Sequence, residues 1–144
     1  MPRHDLQDVR TAAPRSLLLG KKAAYDRLLG TYDPNEGVFS TGDECRAFAK
    51  DVLLALQPDD FAETLPIPDT SRRPSTYGTV EDYDVYGISL EAAMLTKHGL
   101  TNESTWYVKF TVRRDPAGQR CFCLSLHRLE KPLRRVGGWL TPAW

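Results

Sequence analysis

The chain has 144 residues, 41% hydrophobic and 26% charged, with a formal net charge of zero. That is the size and balance of one ordinary domain able to bury a core without disulfides or metals. No apolar run approaches the roughly 20 residues needed to span a bilayer, and "SLLLG" is too short and too closely flanked by Arg15, Lys21 and Lys22 to be a secretory signal core. The expected setting is the cytoplasm, with the three cysteines, Cys45, Cys121 and Cys123, reduced.

Along the chain, residues 5–29 carry helical apolar spacing broken at Pro14 and Gly20, which predicts two short helices. "GTYDPNEGVFS" (30–40) is a turn-rich connection. Thr41 and Glu44 have capping-box spacing, and Phe48, Val52, Ala55 and Leu56 recur on a helical face broad enough to lie on a sheet, until Pro58 stops the run. "DDFAETL" predicts a further helical turn, and residues 66–79, rich in proline, predict a mobile loop. Val80–Ser89 alternates as a strand whose charge suggests an edge, and a short helix is expected to start at Ser89 and end before Gly99.

Two strands follow. Trp106, Val108, Phe110 and Val112 alternate in the first, and Phe122, Leu124 and Leu126 in the second. Placing both apolar sets on one side sets Phe110 opposite Leu124 and Val112 opposite Phe122, with a three-residue loop around "DPAGQ". The other face then carries Tyr107, Lys109, Thr111, Arg113, Cys121, Cys123, Ser125 and His127, with Tyr107 facing His127 and Lys109 facing Ser125. Cys121 and His127 lie too far apart along an extended strand to share one ion, so no metal or cofactor is expected.

Charge is unevenly spread. Residues 1–105 hold 11 Lys or Arg against 17 Asp or Glu, and residues 106–144 hold 8 against 2. The basic C-terminal segment and the polar face together fit metal-independent RNA cleavage. That reaction needs a base for the 2′-hydroxyl, an acid for the departing oxygen and cations for the phosphoryl oxygens. His127 suits proton transfer, Lys109 and Arg113 supply charge, and Tyr107 supplies a hydroxyl or a stacking ring. An antiparallel sheet also commonly has one wet face with no function, and the pattern alone favours that reading.

The order of "RHDL", "DVLLALQPDDF", "YDVYG", "WYVKFTV" and "CLSLHRLEK" resembles the MqsR family of bacterial toxins, within the RelE-like group of messenger-RNA endonucleases. The resemblance spans residues 3–131. It implies an α+β fold, a central antiparallel sheet of about three to six strands with N-terminal helices on one face, as one domain over 1–131 with a tail at 132–144. It also implies a type II toxin–antitoxin system, with messenger RNA and a cognate antitoxin as partners and no membrane. Tyr107 and His4 match family positions. Glu63 and Tyr83 stand where the family has lysine and glutamine, and His127 where it has lysine.

The candidate catalytic residues are therefore His127, Tyr107, Lys109 and Arg113. The candidate RNA-binding residues are Arg114, Arg128, Tyr83, His4, Arg134 and Arg135. In the tail, Arg134, Arg135 and Trp139 suit nucleic acid by charge and stacking, whereas Trp139 and Trp144 suit simple docking. Residues 90–104, with Lys97 and His98, read as an insertion forming a lid or partner surface. Taken singly, His4 and His98 read as surface histidines. Glu63 and Tyr83 favour the alternative of a non-catalytic RNA-binding or protein-interaction regulator on the same fold. A third class, an enzyme acting on a nucleotide or small metabolite, has no supporting glycine-rich phosphate loop, zinc-spaced ligand set or G-x-S-x-G motif.

Overall fold

A computed structural model describes residues 1–69 and 78–143, the side chain of Asp115 excepted. Helix α1 (Leu6–Arg15) starts at Asp5, whose carboxylate accepts from the Gln7 amide, and buries Val9, Ala12 and Ala13. It ends one residue past Pro14, which has no N–H to donate back to the preceding turn. The chain then forms strand β1 (Leu17–Leu19), winds through a π-helical segment at Lys21–Tyr25, and continues as α2 (Asp26–Leu29), which Gly30 closes at φ 70°. Two N-terminal helical stretches are borne out, but the strand between them was not anticipated. Three residues are too few to show a period.

Helix α3 (Gly42–Ala55) has the expected capping box from Thr41 and Glu44 and puts Phe48 edge-on against Trp106 of the sheet, ring centroids 4.8 Å apart. Two readings near its end are corrected. Pro58–Asp60 makes one 3-10 turn, but Phe61 begins strand β2 (Phe61–Pro68), so the helical turn expected through "FAETL" and the start of the expected loop are strand. The rest of that loop lies outside the described residues.

Strand β3 (Val80–Ser89) is interior, paired with β2 on one side and with β4 (Thr105–Asp115) on the other. The expectation of an edge came from its acids. Asp84 is nevertheless fully buried, because it accepts hydrogen bonds from the Arg3 and His4 amides at 2.9 and 2.7 Å and from Thr64 Oγ1 at 2.6 Å. A buried carboxylate is tolerable when its lone pairs are filled in this way. Helix α4 (Ala92–Lys97) starts after Glu91, later than Ser89. Its flanking segment is packed rather than free: Leu90 and Leu100 are buried, and His98 Nε2 donates to the Asp51 carboxylate at 2.8 Å while the ring lies edge-on to Phe48.

Among the described residues the sheet has five strands in the order β1, β5, β4, β3, β2, with β5 spanning Gly118–Arg128. It is mixed, since β1 runs parallel to β5, which corrects the all-antiparallel expectation. Helices pack on one face, giving a generic α+β architecture around a core that includes Trp106, Val108, Phe110, Leu126 and the α3 face. No helix among the described residues is long and apolar enough to cross a membrane.

The β4–β5 pairing follows the expected register from Trp106 to Lys109, then shifts by one residue. Ser125 pairs with Lys109, but Cys123 pairs with Phe110, so Leu124 is an extra, bulged residue. Beyond the bulge, Cys121 and Cys123 enter the core and Phe122 turns to the opposite face. Both cysteines are thereby removed from the polar face. The hairpin closes with Asp115 opposite Gly118, a two-residue loop instead of three.

Candidate functional site

The β2–β3–β4–β5 registers place Glu63, Val85, Lys109 and Ser125 in one cross-strand row, and Gly87, Tyr107 and His127 in the next row on the same face. Gly87 leaves room for the tail. Leu133 and Leu140, joined by an isolated β-bridge, lie against it, and a β-carbon there would fall 2.6 Å from Leu133 Cδ2. The residues after β5 thus form one wall of a cleft of about 390 Å³, with Tyr107, Lys109, Ser125 and His127 lining the sheet side.

Within it, the rings of Tyr107 and His127 are stacked, with centroids 4.8 Å apart and planes 13° from parallel. His127 Nδ1 lies 2.8 Å from the Arg128 carbonyl and 3.3 Å from Glu130 Oε1. Both neighbours are acceptors, so Nδ1 carries the proton and Nε2 has the lone pair. Burial lowers the His127 pKa, assisted by Arg27; the Arg128 carbonyl, Glu130 and Glu36 oppose the shift without cancelling it. The imidazole is neutral near pH 7, as a base must be.

Lys109 Nζ sits 6.0 Å from the Tyr107 ring centroid and makes no hydrogen bond or ion pair with the described residues. Burial lowers its pKa, against the pull of Glu63, while burial and then Glu63 raise that of Tyr107. The phenol is protonated and the ammonium is a readier proton donor than an ordinary lysine.

The other proposed residues are placed differently. Arg113 is held by Glu81 through two hydrogen bonds of 2.9 and 2.7 Å and lies 4.6 Å over the Phe122 ring, so it is committed to a pair away from His127. Tyr83 shares that cluster, its hydroxyl 3.4 Å from Arg113 Nη2. Arg128 reaches toward Glu103 at 3.7 Å, and Arg114, exposed, toward Asp8 at 3.8 Å. Past the last β3–β4 pair, His4 bridges the parted strands, Nε2 lying 3.0 Å from the Asp82 carbonyl and 3.1 Å from Thr111 Oγ1. It ties down the N-terminus rather than lying loose on the surface.

In the tail, Arg134 is exposed. Arg135 is clamped, donating to Asp60 at 3.1 Å and to the Gly87 and Gly138 carbonyls at 2.9 and 3.1 Å. Trp139 is exposed, so the docking expected of it falls to Leu133, Arg135 and Leu140; Trp144 lies outside the described residues. The thiols are poor nucleophiles, since burial pushes Cys45 up to about 11 and Cys121 up to about 12, with Cys123 also raised. Among the described residues no group of three His, Cys, Asp or Glu is arranged to hold a metal ion.

Arg27, Glu36 and Glu130, which form a chain of charges ending at His127 Nδ1, carry no signal in sequence, because α2 is brought to the end of β5 through the parallel β1 crossover. Comparison with protein-family models, curated proteins and solved structures finds no match for this chain.

Proposed function

We propose that this chain is a metal-independent endoribonuclease acting on messenger RNA in the cytoplasm, the toxin of a type II toxin–antitoxin pair. The observation that carries the chemistry is the Tyr107–His127 stack beside an uncommitted Lys109. The toxin and antitoxin assignment comes from the order of motifs that resembles the MqsR family. His127 Nε2 takes the proton of a 2′-hydroxyl, and the 2′-oxygen attacks the adjacent phosphorus. As the bond from phosphorus to the 5′-oxygen breaks, Lys109 supplies a proton to that oxygen and Tyr107 donates a hydrogen bond to a phosphoryl oxygen. The products are a 2′,3′-cyclic phosphate and a 5′-hydroxyl.

Incubation of the purified protein with a single-stranded RNA in the presence of a chelator is expected to give these ends. His127→Ala should slow cleavage by about 100-fold or more, and should relieve the growth arrest caused by expressing the wild type. RNA that binds but stays intact overturns the enzymatic reading. One observation favours that outcome: Glu63, exposed on the same face, repels phosphate. A non-catalytic RNA-binding regulator would show affinity that falls steeply with salt and no new ends, whereas a protein-interaction regulator would show neither.

A further inference from the structure

His127 is met at Nδ1 by a chain of charges drawn from two distant parts of the sequence, Arg27 and Glu36 near the start and Glu130, which lines the cleft, after β5. Glu130 Oε1 lies 3.3 Å from His127 Nδ1 and 2.6 Å from Arg27 Nη2. Arg27 is braced in turn by Glu36, with Nε 3.0 Å from both carboxylate oxygens and Nη2 2.6 Å from Oε2. The His127 side chain is 15% exposed and that of Arg27 25%, so these charges act across partly dry space, where they matter more than on an open surface.

We propose that Arg27, braced by Glu36, acts with Glu130 as a positioning pair for His127, fixing which ring nitrogen carries the proton and setting the pH at which the other takes a second. The inference rests on the reading of His127 as the base. A carboxylate alone beside Nδ1 would stabilise the imidazolium and hold the ring cationic, which disables it as a base. Arg27 claims the Glu130 carboxylate through the shorter contact and adds its own positive charge, which disfavours the imidazolium. Glu130 keeps enough acceptor character toward Nδ1, with the Arg128 carbonyl, to hold the proton there. The ring is oriented and neutral at once.

The charged and titratable groups facing the ring are Arg27 from α2, Glu36 from the connection after it, Glu130 and Lys131 after β5, and Lys109 and Tyr107 from β4. Arg27 and Glu130 act on the ring with opposite signs, and this gives the test its direction. Arg27→Gln removes the cation and frees Glu130, so the His127 titration midpoint rises. Glu130→Gln removes the anion, so the midpoint falls. Arg27→Lys keeps the charge and should restore a midpoint near that of the wild type.

The measurement is a titration of the full chain, with ¹⁵N-labelled histidine followed by long-range ¹H–¹⁵N NMR, which reports the tautomer as well as the midpoint. His4 and His98, each fixed in its own hydrogen bonds, serve as controls for the fold. A wild-type ring that is mainly protonated on Nδ1 when neutral, with shifts of opposite sign in Arg27→Gln and Glu130→Gln, supports the proposal. An unmoved midpoint in both, movement in the same direction, or a neutral ring protonated mainly on Nε2 overturns it. Should Arg27→Gln fail to fold, the solvent-exposed Glu130→Gln decides, and a midpoint that does not fall is the overturning result. None of these readings needs RNA. If the titration behaves as expected and RNA is not cut, the ribonuclease reading fails while the positioning pair stands; if RNA is cut, the acid limb of its pH profile should shift with each variant as the NMR midpoint does.

Discussion

A single carboxylate can hold two elements together when its charge is answered from both. Asp51, on α3, accepts from Lys97 Nζ at 2.8 Å and lies 2.8 Å from His98 Nε2, joining the long helix to α4. Burial pushes its pKa up, but Lys97 and His98 together outweigh burial and hold the carboxyl below its ordinary value of 3.8. A carboxyl with a depressed folded pKa adds stability that is present above the unfolded value and is lost as pH falls through the folded one. Asp51→Asn is therefore expected to lower stability by about 1 to 2 kcal/mol at pH 7. The gap from wild type should close as pH falls below 3.8 and the wild-type carboxyl protonates. Urea unfolding at several pH values measures this, and a gap independent of pH would show that the ion pairs contribute nothing. Lys97 and His98 read in sequence as part of a free surface because nothing local links them to a helix 46 residues earlier, the gap between Asp51 and Lys97.

At the scale of elements, the hairpin was legible up to Lys109 and Ser125 and illegible beyond. Phe122, Leu124 and Leu126 alternate without a break, and apolar alternation is the main register signal the sequence gives here. Cysteine is as content in a core as leucine, so "RCFCLSL" fits two registers equally. What decides between them is β1. The Gly20 amide donates to the Cys123 carbonyl at 2.8 Å and Cys121 donates to the Ser16 carbonyl at 2.9 Å, which seats β1 along the bulged strand. Gly20 is placed so tightly that a β-carbon there would lie 2.5 Å from the Leu124 carbonyl oxygen. The obstacle is backbone and cannot swing aside. Gly20→Ala should therefore cost about 1 to 3 kcal/mol, read as a lower urea midpoint, with the largest NMR shifts along Leu17–Leu19 and Cys121–Leu124. An alanine variant as stable as wild type would mean that the crossover is looser than this packing requires. The site residues Tyr107, Lys109, Ser125 and His127 lie on the unshifted side of the bulge, which is why their juxtaposition could be read from the alternation when the rest of the face could not.

For the whole molecule, the split between an acidic body and a basic C-terminal segment is largely spent in holding the two together. Arg113 meets Glu81, Arg114 meets Asp8, Arg128 meets Glu103 and Arg135 meets Asp60, each pair joining the basic segment to an acid of the first 105 residues. A sequence shows the imbalance but not its pairing, so it overstates the basic surface open to nucleic acid; Lys109 and Lys131, which both line the cleft, form no ion pair with the described residues. Among these pairs Arg135–Asp60 does most to shape the site. Its side chains are 14% and 15% exposed, and it fastens the tail over Gly87 while Val136 and Gly137 donate to the Phe61 and Asp59 carbonyls. Arg135→Ala would leave Asp60 buried without its cation and remove the side-chain donor to the Gly87 carbonyl, a loss of about 2 to 4 kcal/mol. The tail should then loosen before the sheet does, since among the described residues its apolar anchors are Leu133 and Leu140. Native-state hydrogen exchange is the measurement: amides of Leu133 and Leu140 should exchange much faster in the variant while those of Val108 and Leu126 change only with global stability. Uniform acceleration at all four would mean that the tail and the sheet open as one unit, and that the wall of the cleft cannot move separately from its floor.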